Sequence, residues 1–227
     1  MATGIGFDVY GTLVDPIGIT TELDALAGER AARASQLWRA RQLEYSFRRA
    51  AMHRYENFDV VTRQALQATC ESLAIPLRPA DTDRLMSAYE RLEVFPDARA
   101  SLERLRRAGH RLAAFSNGVE ATLRRLLAHA GILDLLDDVI SVDNVRSFKP
   151  DPAVYAHLRR RLGAEVTWLV SSNGWDAIGA KAAGLQAAWV RRDPQAVLDP
   201  WGIVPDRIVT DLLQLASTFE TGETGTR

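Results

Sequence analysis

FDVYGTLVD, residues 7–15, is the stretch from which the architecture is read. An apolar approach runs into an aspartate, and a Gly-Thr turn comes next. A short strand, about Gly4 to Asp8, therefore opens the chain, although Gly4 and Gly6 weaken it as a strand. The chain beyond the turn carries more weight. From about Thr21 to Leu92 the pattern is helical, with no convincing strand. Beyond that block the chain alternates. Helical patterns cover 102–109, 120–131, 153–163 and 176–184, with Gly109 and Gly131 as stop signals. Strand patterns cover 111–116, 138–142, 167–172 and 186–192, and RIVT (207–210) is a candidate last strand before a short helix.

Strands alternating with helices imply a parallel sheet covered on both faces. The expected fold class is α/β, a Rossmann-like parallel-sheet core with an inserted all-helical cap subdomain. The core takes residues 1–14 and 93–218 and the cap residues 15–92. The end, FETGETGTR (219–227), is small and polar and is expected to be a flexible tail.

Bulk properties narrow the function. With 227 residues, one domain or one domain with an insertion is the prior. At 47% hydrophobic and 25% charged, the chain has the composition of a soluble globular protein. A net charge of −1 points to neither nucleic acid nor an acidic membrane surface. The single cysteine, Cys70, rules out an intrachain disulfide and fits a reducing compartment. MATGIGFDV lacks the basic flank and apolar run of a secretory signal. No stretch reaches the roughly 18–20 apolar residues of a membrane span. A cytoplasmic location is expected.

In open parallel sheets, ligands sit beyond the carboxyl ends of the strands. Asp8, Tyr10 and Thr12 follow the first strand, and Ser116, Asn117 and Gly118 the second. Lys149 follows the third, and Ser171, Ser172, Asn173, Trp175 and Asp176 the fourth. This rim faces the place where a cap would close. Lysine is rare here: of 28 basic residues only Lys149 and Lys181 are lysine. A carboxylate beside a lysine stays ionised, and an ionised carboxylate in a dry pocket is a usable nucleophile. Asp8 with Lys149 fits that pattern, against the plainer reading of a turn aspartate and a solvated helix-start lysine. Asp176 is either a second carboxylate that orients water or, like Asn173, a helix cap. On SQLWRARQLEYSFRRAA (35–51), Arg39, Leu43, Phe47 and Ala50 share one helical sector. Arg39 there either snorkels from a packed face or presents charge to an apolar pocket.

Other chemistries lack support. His53, His110, His129 and His157 lack metal-ligand spacing. Gly4-x-Gly6 lacks the third glycine of a dinucleotide fingerprint and lies before the strand end. No Walker sequence, G-x-S-x-G elbow or zinc-type cysteine pair occurs. The run RRRLG (159–163) reads as a solvated helix end.

From Phe7 to about Arg192 the chain resembles the haloacid dehalogenase superfamily, and within it the L-2-haloacid dehalogenases. FDVYGTLVD, WRARQLEYSFRRAAMHRY (38–55), FSNG (115–118), SVDNVRSFKPDPAVY (141–155) and VSSNGWD (170–176) carry the resemblance. Most superfamily members are Mg²⁺-dependent phosphotransferases with a second Asp at the place of Tyr10 and usually a Gly-Asp pair at Ser172 and Asn173. The dehalogenase branch has the Tyr and the Ser-Ser-Asn run.

The resemblance implies a role for each matching residue. Asp8 would displace halide from C2 of a 2-haloalkanoate and form an aspartyl ester. Thr12, Ser171 and Asn173 would hold Asp8 and the incoming water. Lys149 would neutralise charge around Asp8, with Tyr155 supporting it. Asp176 would help activate the water. Ser116 would bind the substrate carboxylate, and Arg39 and Asn117 the leaving halide. Tyr10, Leu43, Phe58 and Trp175 would form apolar walls. Back-side attack inverts C2, so an L substrate would give a D-2-hydroxy acid. The resemblance implies no metal, no cofactor and a homodimer. The partners are then a small 2-haloacid, water and the released halide. One departure, Ala40 where family members often carry Gln, is a candidate to alter the pocket beside Arg39. The alternatives are a Mg²⁺-dependent phosphatase or phosphonate hydrolase of the same fold, and a catalytically silent binding module.

Overall fold

A computed structural model of the chain describes residues 3–221. After β1 (Gly4–Phe7) come four helices in succession: α1 (Ile19–Ala27), α2 (Ala31–Ala51), α3 (Phe58–Ser72) and α4 (Pro79–Ala88). The alternating part runs α5 (Ala98–Arg107), β2 (Arg111–Ser116), α6 (Glu120–His129), β3 (Asp138–Ser141), α7 (Pro152–Leu162) and β4 (Thr167–Ser171). It ends with α8 (Gly174–Ala182), β5 (Gln186–Val190), β6 (Arg207–Val209) and α9 (Leu212–Thr221).

The six strands form one sheet in the order β3-β2-β1-β4-β5-β6, and every pairing is parallel. This is the Rossmann-like arrangement expected from the alternation. β1 is central, so its residues are buried on both faces. To one side of β1 the chain proceeds to β2, and to the other it returns as β4. The carboxyl end of β1 is therefore the topological switch point, where such sheets bind ligands.

The two glycines that weaken β1 on propensity have a packing role. A Cβ at Gly6 would lie 2.8 Å from both terminal methyls of Leu158, and one at Gly4 would lie 3.0 Å from Leu162 and Ala164. Helix α7 thus rests directly on the β1 backbone.

The helical insertion joins the sheet through two adjacent segments. Asp15 N donates to Glu93 O, and Phe95 N to Leu13 O, both at 2.9 Å. The buried face of α2 carries Ala31, Ala34, Ser35, Trp38, Gln42 and Ser46. It packs on α3, with Trp38 Nε1 donating to Thr62 O at 2.8 Å and Gln42 Nε2 to Thr62 Oγ1 at 3.2 Å. The insertion contacts the sheet unit through Tyr55 on Asp143 (2.5 Å), Thr122 on Asp59 (3.0 Å) and Arg125 on Glu90 (2.6 Å).

One expectation needs correction. Residues 219–221 are not tail: α9 continues to Thr221. Phe219 packs edge-on against Trp168 and His110, with ring centroids 5.2 Å away in each case. The aromatic ring outweighs the small polar composition around it. The remainder of the expected tail, 222–227, lies outside the described residues.

Candidate active site

Asp8 is the first residue beyond β1 and is 7% exposed. Its backbone N–H still bonds Val170 O of β4 at 2.9 Å, which fixes the carboxylate at the rim. Thr12 Oγ1 donates to Asp8 Oδ2 at 3.0 Å, and Asn173 Nδ2 donates to the same oxygen at 2.9 Å. Asp8 Oδ1 has a different partner, the Lys149 ammonium at 3.0 Å.

Lys149 reaches this point from the loop between β3 and α7. Its backbone N–H donates to Asn117 Oδ1 at 3.0 Å. Nζ donates to Asp8 Oδ1 (3.0 Å), Asp176 Oδ2 (2.9 Å) and Phe115 O (3.0 Å), which uses all three ammonium hydrogens. Lys149 is 1% exposed. Burial pulls its pKa down, but the charges of Asp176 and Asp8 outweigh that, and it ends above the ordinary lysine value. Asp176 is fully buried, and burial pushes its carboxyl up. Asp8 adds to that rise, while Lys149 and the Tyr155 hydroxyl oppose it. Tyr155 donates to Asp176 Oδ1 at 2.7 Å; burial and the neighbouring carboxylate hold its phenol protonated far above its usual range.

The Ser-Ser-Asn-Gly-Trp-Asp run folds as the strand-to-helix turn between β4 and α8. Asn173 occupies the N-cap position of α8, yet its side chain caps nothing; it is spent on Asp8. Asp176, in the first turn, is likewise turned inward to Lys149 and Tyr155. The plain capping reading of both residues is thereby set aside. Ser171 accepts from Asn173 N–H at 3.1 Å and makes no bond to Asp8. Ser172 braces the other Asp8 partner: its N–H donates to Thr12 Oγ1 at 2.8 Å, and its hydroxyl lies 3.2 Å from the same oxygen. Sequence reading names Ser171 for a role and passes over Ser172, which braces Thr12. Strand alternation carries the signal, since Ser171 ends β4 while Ser172 already faces the rim.

At the end of β2, Ser116 Oγ accepts from Gly118 N–H at 3.2 Å, so its own proton is free to donate. Ser141 Oγ donates to Gly118 O at 2.6 Å and pins this loop. Tyr10 is 5% exposed, and its ring meets Phe58 and Tyr89 with centroids 6.2 and 6.1 Å away. Burial, with Asp59 nearby, lifts its phenol far above the ordinary value, so it stays neutral.

The α2 sector faces this rim. Arg39 is half-buried, and its Nη2 donates to the Tyr10 carbonyl at 3.3 Å. Phe47 meets Trp175 edge-on at 5.0 Å, and Leu43 lies half-buried between Arg39 and Phe47 on the helix. Arg39 is therefore a rim group rather than a snorkelling surface residue. Ala40 is exposed, about 100° further round α2, so it does not line the site. Sequence reading also missed Tyr89, which packs on Tyr10 and on Trp38. It lies at the insertion's far end, with no motif around it. Among the described residues no group of three His, Cys, Asp or Glu side chains is placed to hold a metal.

The structure thus gathers a buried Asp-Lys-Asp cluster at the switch point of a parallel sheet, with an arginine from the inserted helices beside it. Residues 2–184 match the family model of haloacid dehalogenase-like hydrolases. The chain is 39% identical over 220 residues to the (S)-2-haloacid dehalogenase of Pseudomonas sp. (strain YL), covering 96% of this chain and 94% of that one. It is 37% identical to haloacetate dehalogenase H-2 of Moraxella sp. (strain B), over 89% of this chain and 91% of the other. The L-2-haloacid dehalogenase of Xanthobacter autotrophicus, solved with chloropropionic acid covalently bound, superposes with a TM-score of 0.91 at 35% identity, covering 97% and 99% of the two chains. The chain belongs to the haloacid dehalogenase-like hydrolases, and within them to the (S)-2-haloacid dehalogenases.

Proposed function

We propose that this protein hydrolyses short-chain L-2-haloalkanoic acids to 2-hydroxy acids with inversion, through an ester on Asp8. The observation that carries the mechanism is the unequal treatment of the two Asp8 oxygens. Oδ2 accepts from Thr12 and Asn173, whereas Oδ1 accepts from Lys149 alone. Oδ1 keeps the freer lone pair and is the attacking atom. It displaces halide from C2, and the C–X electron pair leaves with the halide. Ser116 and nearby backbone N–H groups hold the substrate carboxylate. Arg39 and the Asn117 amide meet the departing halide, a charge that grows as the bond breaks, so their stabilisation favours the transition state.

Oδ2 then becomes the carbonyl oxygen of the ester. Water, deprotonated by Asp176, attacks Cγ, and negative charge develops on Oδ2. Thr12 and Asn173 are already aimed at that oxygen and act as its oxyanion donors. The Cγ–Oδ1 bond breaks and the alkoxide takes up the proton, freeing a D-2-hydroxy acid. Lys149 balances charge in both steps. Ser171, which accepts from the Asn173 N–H, helps Thr12 and Asn173 hold Asp8 and the incoming water, and Tyr155 holds Asp176.

Tyr10, Leu43, Phe58 and Trp175 supply apolar walls that keep water off the nucleophile. Residues 15–92 act as a cap over a core of 1–14 and 93–221. A homodimer, which the sequence resemblance implies, and a cytoplasmic location, which the single cysteine fits, belong to the same proposal. No helix of the described residues is long and apolar enough to cross a membrane. No observation favours the phosphatase alternative: a neutral, buried Tyr10 and an uncharged Asn173 are poor Mg²⁺ ligands. The test is halide release from L-2-chloropropionate and from haloacetates in excess EDTA. Stoichiometric halide and D-lactate from the chiral substrate are expected. Absence of halide from every 2-haloacid tried, with phosphate release from an aryl phosphate on adding Mg²⁺, would overturn the reading.

A further inference from the structure

We propose that Gly179 is a positioning residue for the hydrolytic half-reaction: its missing side chain lets α8 lie against the Tyr155 hydroxyl and Pro150, and so seats the hydroxyl on Asp176. This rests on the reading of Asp176 as the water-activating base. Gly179 lies one turn after Asp176 on α8, on the same side of the helix. A Cβ at this position would stand 2.6 Å from Tyr155 Oη, 2.8 Å from Pro150 Cβ and 3.1 Å from Tyr155 Cζ. Gly179 has no left-handed φ, so an alanine backbone fits, and helix propensity favours alanine there. Close approach, not backbone freedom, is what calls for glycine.

The neighbours cannot give way freely. Tyr155 is fully buried, with the Phe115 ring 6.1 Å away, and its hydroxyl lies between Asp176 Oδ1 (2.7 Å) and Asp176 O (3.3 Å). Pro150 directly follows Lys149, whose ammonium holds the other Asp176 oxygen. One methyl group at 179 therefore presses on both supports of Asp176. The hydroxyl is a donor that opposes the upward push of burial on Asp176. Displacing it raises the carboxyl further, and the acidic limb of ester hydrolysis moves to higher pH. Ester formation, which uses Asp8 and Arg39, changes less.

The experiment is rapid-quench turnover of L-2-chloropropionate by the full chain as wild type, Gly179→Ala, Tyr155→Phe and the double variant, with thermal melts alongside. Gly179→Ala is expected to keep the initial halide burst while steady turnover falls about 10- to 100-fold, the scale of a misplaced catalytic group. Its acidic limb moves up. On the Tyr155→Phe background the same substitution costs less than on the wild-type background, because the 2.6 Å contact with the hydroxyl is gone and the two effects share that cause, while the 2.8 Å contact with Pro150 remains. Wild-type turnover and pH profile in Gly179→Ala, or losses that simply multiply in the double variant, overturn the proposal. If Gly179→Ala alone does not fold, recovery of folding in the double variant supports it, and continued failure overturns it. A wild-type chain that releases no halide removes the functional reading, and this inference with it.

Discussion

Replacing Lys149 by Met removes the one cation shared by Asp8 and Asp176 and keeps a side chain of similar length. Deleting one partner of a buried ion pair costs about 3–5 kcal/mol, because the other charge stays buried without compensation. Here two carboxylates lose the same partner, so that range is the expected minimum. For a chain of 227 residues, each kcal/mol moves Tm by about 2–4 °C, which gives a fall of roughly 6–20 °C at pH 7. The variant relieves part of the cost by binding a proton. Burial already lifts Asp176, and Lys149 is the main force holding it down, so its loss lifts the carboxyl further. A group whose pKa is raised by folding binds more protons in the native state. Its contribution is complete below the ordinary carboxylate value near about 4 and is lost as pH rises through the folded value. The deficit of Lys149→Met relative to wild type should therefore be largest at pH 7–8 and shrink towards pH 4.5, as read by thermal melts across that range. Halide release at pH 7.5 should fall about 100-fold or more, the kinetic equivalent of about 3 kcal/mol. A Tm deficit that is constant across pH, or that grows on acidification, would refute the assignment of Lys149 as the partner that keeps Asp176 ionised.

Asp8→Asn should release no halide above background, since the amide is not a nucleophile, and should melt below wild type, since its NH2 must face the donors that Asp8 now accepts from. Arg39→Ala should lower kcat/KM for L-2-chloropropionate by about 10²–10³-fold, the cost of losing one transition-state donor, measured by initial-rate halide release. Ser172→Ala, which removes only the hydroxyl beside Thr12, should cost about 1 kcal/mol or less in denaturant unfolding and leave the Ser172 N–H bond in place. Arg125→Ala breaks the exposed pair with Glu90 and should change unfolding free energy by less than about 1 kcal/mol.

The sheet and most of the site could be read from sequence because parallel topology is restrictive. Once strands alternate with helices, Asp8, Ser116, Lys149 and Asp176 must emerge at one edge, and FDVYGTLVD and SSNGWD mark two of the exits. Register within those exits was harder. Ser171 and Ser172 look alike in sequence, and only the last hydrogen-bonded residue of β4 decides which one turns to Thr12. Phe219 sits in a stretch whose composition says tail, yet one ring finding Trp168 and His110 extends α9 through it. The buried Gln42 and Ser46 on α2 break the apolar pattern because Thr62 and the Gln42 carbonyl satisfy them, which no periodicity reveals. Gly6 reads as a weak point of a strand and Gly179 carries no signal in the sequence; their value appears only when Leu158 and Tyr155 are seen against them.

The central claim is that Asp8 itself is esterified and then released by attack at its own carboxyl carbon. A single turnover with enzyme in excess over L-2-chloropropionate in ¹⁸O-water tests it directly, with mass analysis of the Asp8 peptide and of the lactate. Label in Asp8 and unlabelled lactate are the predicted result; lactate carrying ¹⁸O from that first turnover, with Asp8 unlabelled, would contradict it.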